Sequence, residues 1–360
     1  MSGLVLGAGA ARADFGDRTR LGRLAVPVLL AALLVCFLAS LMTGPVPLSV
    51  RAVIAGLFAS DGTASLRDIA IVRDIRLPRT VLALLVGSAL AVSGAFMQGL
   101  FRNPLADPGL AGVSSGASLA AVATIVLGHH WIGHMPQFLQ PYALAVAAFL
   151  GGLVSTLMLY LIATRNGTTS VATLLLGGIA LAALAGAAVG VLVFLSNDQQ
   201  LRDLTFWSLG SVGGADWTKI LAVGPVILVL LALSPLSADG LNALALGEAE
   251  ASHLGISTQW LKRGAILLVA GLTGVAVAVS GTIGFIGIVA PHMLRLMIGP
   301  DHRYLIPASA CLGAILLLLA DMVARTIVSP AELPIGIVTA LIGAPMFLWI
   351  LLRRRALVDL

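Results

Sequence analysis

Apolar runs long enough to cross a bilayer recur from one end of this chain to the other, and no other feature constrains its fold as much. A helical span needs roughly 20 apolar residues. Such runs fall at about 24–43, 80–99, 109–127, 141–163, 170–195, 218–236, 261–281, 284–298, 305–326 and 334–352. The run at 284–298 is short and carries Pro291, His292 and Arg295. Composition agrees: 59% of residues are hydrophobic and 10% charged, against roughly 45–50% apolar residues in an ordinary soluble domain. A membrane β-barrel would show segments of alternating polarity, and none is present. The expected fold class is therefore all-α and polytopic, with about ten transmembrane helices.

Little chain is left outside these runs. No polar stretch exceeds about 35 residues, so any ATPase, receptor or catalytic domain must be another polypeptide. Residues 24–355 are expected to form one transmembrane domain, preceded by a polar, Arg-rich tail at 1–23. The run at 24–43 is too long for a signal peptide and ends without a small-x-small cleavage site, so it reads as a retained first helix. Cys36 and Cys311 both sit inside apolar runs, where a thiol behaves as a small hydrophobe, and neither a disulfide framework nor a thiolate metal site is expected. The net charge of +5 would point to nucleic acid in a soluble chain. In a membrane chain it reports topology, and no nucleic-acid partner is expected.

With ten spans and both termini inside, 13 of the 21 Lys and Arg residues fall in inner segments, as the positive-inside rule requires. The outer segment between the first two spans breaks that rule. It holds Arg51, Arg67, Arg73, Arg76 and Arg79, the last three within RDIRLPRT at 73–80.

An internal repeat organises the spans. ALLVGSALAVSG at 83–94 matches AGLTGVAVAVSG at 270–281 at a constant offset of 187 residues, and Pro104 matches Pro291 at the same offset. Five spans separate the copies, and an odd number inverts the second relative to the first, the plan of many transporters. Small residues also allow close helix packing, and the two readings are compatible. Gly281, Gly284 and Gly287 step through GTIGFIG as either a packing face or a helix break. They are not a phosphate loop, because no strand precedes them and no Lys-Ser/Thr follows.

Ionisable residues inside spans are functional candidates. Asp321 and Arg325, at i and i+4, lie on one helix face and can pair, as a functional or a structural ion pair. His129, His130 and His134, in GHHWIGHMP, could hold a metal or a haem iron, or could simply be polar residues of an outer loop. Met97 and Met293 read as packing residues rather than axial ligands. No Ser/His/Asp or paired-carboxylate arrangement is legible, so no catalytic residues and no resident metal are expected. A stand-alone secondary transporter would need coupling-ion carboxylates at mid-membrane, and none is apparent. The longest inner loop, 242–264, opens with an expected short amphipathic helix from Asn242 to Leu254, stopped by Gly255. Glu248 and Glu250 would face water while Leu244, Leu246 and Leu254 supply an apolar side suited to a groove on a soluble partner, or to lipid.

Four blocks carry a resemblance to a known family: 76–120, from RLPRT through FRNPLADPGLAGVSSGASLA; ALGEAEASHLGI at 245–256; GTIGFIGIVAPHMLRL at 281–296; and ADMVARTI with AELPIGIVTALIGAPMFLWIL at 320–351. Together they resemble the permease subunits of the ABC importers for vitamin B12, ferric siderophores and haem, over about residues 24–355. The resemblance implies a homodimer of ten-helix permeases in the bacterial inner membrane. Two cytoplasmic ATPase subunits would carry ATP hydrolysis, and a periplasmic binding protein would deliver the substrate. It implies a coupling loop at 241–258, with Gly247, Glu248, Ala251, Leu254 and Gly255 meeting the ATPase. It also implies a path lined by the fifth helix, through Gly177, Gly178, Gly186 and Gly190, and a docking role for Arg76, Arg79 and Arg325 at the outer rim. Arg73 lies outside that motif. No permanently bound cofactor is implied. The cargo expected first is haem, with a ferric siderophore or a corrinoid as alternatives.

Overall fold

The computed structural model describes residues 19–58, 65–137, 139–165, 168–329 and 331–358. Of the expected tail, residues 1–18 lie outside the described residues, and the first helix begins at Thr19, earlier than expected. The long helices are α1 (Thr19–Met42), α2 (Leu77–Leu100), α3 (Val113–Leu127), α4 (Ala143–Ala163), α5 (Val171–Phe194), α6 (Trp217–Leu233), α7 (Thr258–Ser280), α8 (Ile286–Ile298), α9 (His302–Ala324) and α10 (Ile335–Val358). Among the described residues, eight helical segments are long and apolar enough to cross a membrane, and Ile286–Ile298 and Ile335–Leu348 are shorter apolar stretches. Every expected run is therefore helical.

α2 is the axis of the fold. The span that ends in α2 is 89% buried within the protein, against 11% for α5. Lipid tails are as apolar as leucine, so burial here is driven by close packing rather than by release of water. That explains the small residues of the repeat. A Cβ added at Gly94 would lie 1.7 Å from the Gly287 carbonyl oxygen on α8, and one at Gly87 would lie 2.4 Å from that of Gly313 on α9. The two repeat copies fall on α2 and α7, which pack against each other.

Helices break where the chain must turn inside the protein. Gly281, with φ +67°, ends α7, and Phe285, with φ +68°, precedes α8. GTIGFIG is therefore a helix break at its start and a packing contact at Gly287. The segments at 208–211, 280–285 and 333–336 satisfy one another: Ser211 N–H donates to Ser280 O at 2.7 Å, Ile335 N–H to Gly210 O at 3.0 Å and Gly336 N–H to Leu209 O at 3.0 Å. Irregular backbone at membrane depth persists only where protein groups satisfy it in this way.

Shorter elements complete the chain. Val50–Phe58 and Leu66–Ala70 lie between α1 and α2, and a π-helical turn, Ile71–Arg76, runs straight into α2. Thr164–Arg165 and Thr168–Thr169 form a two-stranded hairpin between α4 and α5.

Candidate functional site

Arg76 and Arg325 converge on the C-terminal end of α1, whose last carbonyls have no helical partners and carry the negative end of the helix dipole. Arg76 Nη1 donates to Leu41 O at 2.8 Å and Met42 O at 2.9 Å, and Nη2 donates to Val46 O. Arg325 Nη2 donates to Ser40 O at 2.9 Å and Ser40 Oγ at 2.7 Å. Arg79 pairs with Asp321 at 2.9 Å and with Glu332 at 2.7 Å. The expected Asp321–Arg325 pair forms at 3.4 Å.

This corrects one expectation. A docking role for Arg76, Arg79 and Arg325 implies exposure to the partner, yet they are only 4%, 7% and 2% exposed. Each is held by partners of this chain. The sequence reading missed Glu332 and the Arg79–Asp321 pair, because neither is local in sequence.

The expected helix from Asn242 to Leu254 is two helices. Ala238–Leu246 ends at Gly247, with φ +136°, and Glu248–His253 follows, stopped by Gly255 at φ +82°. Only glycine takes such dihedrals without strain. Leu246 and Leu254 are exposed, while Ala251 and Leu244 are buried. Glu248 is not simply solvated, because its Oε2 pairs with Lys262 Nζ at 2.7 Å. Lys262, 2% exposed, also donates to Thr169 O at 3.0 Å. Gln259 Oε1 accepts the Thr169 N–H at 3.0 Å. The short surface helix is thus tied through α7 to the hairpin that opens α5.

The glycines of α5 do not share one face. Gly186 and Gly190 look onto open space, whereas a Cβ at Gly177 would meet Leu159 Cδ1 at 2.8 Å, and Gly178 is buried. A smooth face on α5 therefore runs through Gly186 and Gly190 only. His129, His130 and His134 are exposed on the loop between α3 and α4, in short 3-10 turns, with the rings of His129 and His130 3.8 Å apart.

One carboxylate does lie at depth. Asp107 lines a cavity of about 220 Å³ with Leu90 from the middle of α2, Thr273 of α7 and Thr282. Its Oδ1 accepts the Gly109 N–H at 2.7 Å and so caps the turn at Pro108–Ala111. The chain folds back into the protein there, which a linear reading of spans cannot see.

Residues 32–353 match the FecCD transport family. The chain belongs to that family. Among relatives of this FecCD protein, the hemin transport system permease HmuU of Yersinia pestis is 52% identical over 282 residues, covering 78% of this chain and 83% of that protein. The vitamin B12 import system permease BtuC of Salmonella typhi is 47% identical over 284 residues, with the same coverage. A solved metal-chelate type ABC transporter in an inward-facing conformation superposes with a TM-score of 0.78 at 32% identity, covering 89% of this chain and 96% of that one. PsaBC from Streptococcus pneumoniae, at 18% identity and a TM-score of 0.51, shares the fold. The FecCD chain is a multi-pass membrane permease of the ABC importer class.

Proposed function

We propose that this chain is the permease of an ATP-driven haem importer in the bacterial inner membrane, with both termini cytoplasmic. It works as a homodimer, with two ATPase subunits on the inside and a periplasmic binding protein on the outside. The observation that carries the ATP-driven part is the link from the Glu248–His253 helix through Lys262 to Thr169 and the start of α5. Exposed Leu246 and Leu254 on either side of that helix suit a groove on a soluble partner. A displacement of the helix by the ATPase reaches α5 through these polar contacts, and α5 presents Gly186 and Gly190 to the path.

Haem is preferred as cargo because the haemin permease, at 52% identity, exceeds the vitamin B12 permeases, at 46–47%, over nearly the same length. A corrinoid is the second reading, on the strength of those B12 permeases, and a ferric siderophore is the third. With haem as cargo, His129, His130 and His134 are the outer-side histidines able to touch its iron. At the rim, a binding-protein carboxylate reaches Arg79 most readily, by displacing the half-exposed Glu332. Arg76 and Arg325 position that surface.

Reconstitution in liposomes with the cognate ATPase and binding protein tests the reading. Haem is expected to stimulate ATP hydrolysis and to be taken up. Stimulation by cobalamin or a ferric siderophore instead moves the cargo assignment, and uptake by the permease alone without ATP overturns the mechanism.

A further inference from the structure

A cavity of about 210 Å³ opens at the inner end of the protein, between the last turn of α2, the turn that follows it, α8 and the start of α9. Gln98, Arg102, Ala245, His292, Arg295 and His302 line it. Gln98 and His302 are each 1% exposed. Four of the lining polar atoms are buried without a hydrogen-bond partner in the protein: Gln98 Oε1, His302 Nε2, and Nε and Nη2 of Arg295. Buried polar groups are rarely left in this state, so the cluster asks for a ligand that satisfies all four.

Asn242 fixes the state of the histidine. Its Oδ1 accepts the His302 backbone N–H at 2.9 Å, and its Nδ2 donates to Asp301 Oδ1 at 2.7 Å. The same Oδ1 lies 2.8 Å from His302 Nδ1, which must therefore carry the ring proton. Neutral His302 then presents Nε2 as an acceptor. The cavity offers two donors from Arg295 and two acceptors, from Gln98 and His302, beside the further positive charge of exposed Arg102.

A ligand that fits this set is anionic and carries a hydroxyl hydrogen. Sulfate and carboxylate near neutral pH supply acceptors only, and would face both Gln98 Oε1 and His302 Nε2 unfavourably. Phosphate retains an O–H there and supplies both kinds of group. We infer that this cavity is a binding site for a protonated phosphate group, its P–O⁻ oxygens held by Arg295 and its P–OH donated to His302 Nε2 or Gln98 Oε1. Asn242 and Ala245 belong to the helix that runs directly into Gly247 and the surface helix at Glu248–His253, so occupancy bears on the segment through which the ATPase is proposed to act. Binding itself does not depend on that proposal. Inorganic phosphate and a phosphomonoester lipid headgroup share this chemistry.

The test uses the full-length permease in nanodiscs of zwitterionic lipid, titrated with inorganic phosphate and with sulfate at matched ionic strength, and read by calorimetry and thermal stability. Phosphate is expected to bind saturably and about tenfold or more tighter than sulfate, because a site with buried acceptors rejects the analogue that lacks the hydrogen. Arg295→Gln should abolish binding, and Gln98→Leu should shrink the preference over sulfate. Equal responses to the two anions, or a phosphate preference that survives in both variants, overturns the inference. Should Arg295→Gln fail to fold, the wild-type phosphate-to-sulfate ratio decides alone. In discs containing phosphatidic acid, loss of the response to added phosphate assigns the site to the lipid headgroup, and an unchanged response assigns it to free phosphate.

Discussion

Arg79 on α2 grips Asp321 on α9 across 242 residues of sequence, with both Nε and Nη2 2.9 Å from the same carboxylate oxygen. Arg325 lies one turn beyond Asp321, 3.4 Å from the other oxygen, and Glu332 takes the remaining side of Arg79. Two guanidiniums and two carboxylates thus sum to zero charge at one end of the helices that form the core. Such a cluster fixes the register of α2 against α9, because a slide of one turn would strand a charge in a poorly solvated place.

Removing the central carboxylate should therefore cost far more than a surface charge would. Asp321 is fully buried and both arginines nearly so. Asp321→Ala leaves two guanidiniums with only the half-exposed Glu332 to balance them, and removing one partner of a buried pair costs about 3–5 kcal/mol. The expected result is a lower melting temperature and a reduced yield of monodisperse permease. Adding Arg79→Met and Arg325→Met to the same chain should recover much of the loss, since the buried charges then disappear together and only the half-exposed Glu332 remains. An Asp321→Ala variant that melts like the wild type would show the cluster to be dispensable.

Glu332 gives a cleaner probe of docking than the arginines themselves. Arg79→Glu would set a new carboxylate against Asp321 and damage the fold, so lost transport would say little about the binding protein. Glu332→Gln keeps the shape and frees Arg79 Nη1 from a partner whose side chain is 40% exposed. If binding-protein carboxylates compete for Arg79, the variant should bind the binding protein several-fold more tightly, chiefly through slower dissociation. An unchanged or weaker affinity removes Arg79 from the docking surface.

The helices were legible because each needs about twenty apolar residues, and that signal is local. The repeat was legible in the same way, and its glycines proved to be contact points, with Gly94 against Gly287. What the sequence hid was every contact set by tertiary structure. Arg76 reads as a rim charge until the end of α1 is seen beside it, and Lys262 reads as an inner-loop cation until Thr169 and Glu248 close around it. Gly247 was read inside a helix, because nothing local distinguishes a glycine in a helix from one that breaks it at a positive φ. Asp107 was overlooked as a residue at depth because a chain that folds back between spans leaves no mark on a hydropathy profile. The resemblance places four α5 glycines on one path, whereas only Gly186 and Gly190 share the open face.

Glu248 and Gly255 test the link from the short surface helix to α5. In Glu248→Lys a second ammonium would approach Lys262 Nζ, which has only the Thr169 carbonyl left to hold it. Gly255→Pro forces φ to about −65° at a position that needs +82°. Both changes leave the helix core intact but loosen the Glu248–His253 segment from α7 and from the hairpin before α5. In liposomes with the ATPase and binding protein, ATP hydrolysis should persist while uptake per ATP falls several-fold. Ala249→Ser, at an exposed position of the same short helix, should leave the ratio unchanged. Uptake per ATP at the wild-type level in both Glu248→Lys and Gly255→Pro would sink the link from this helix to α5, whatever the cargo proves to be.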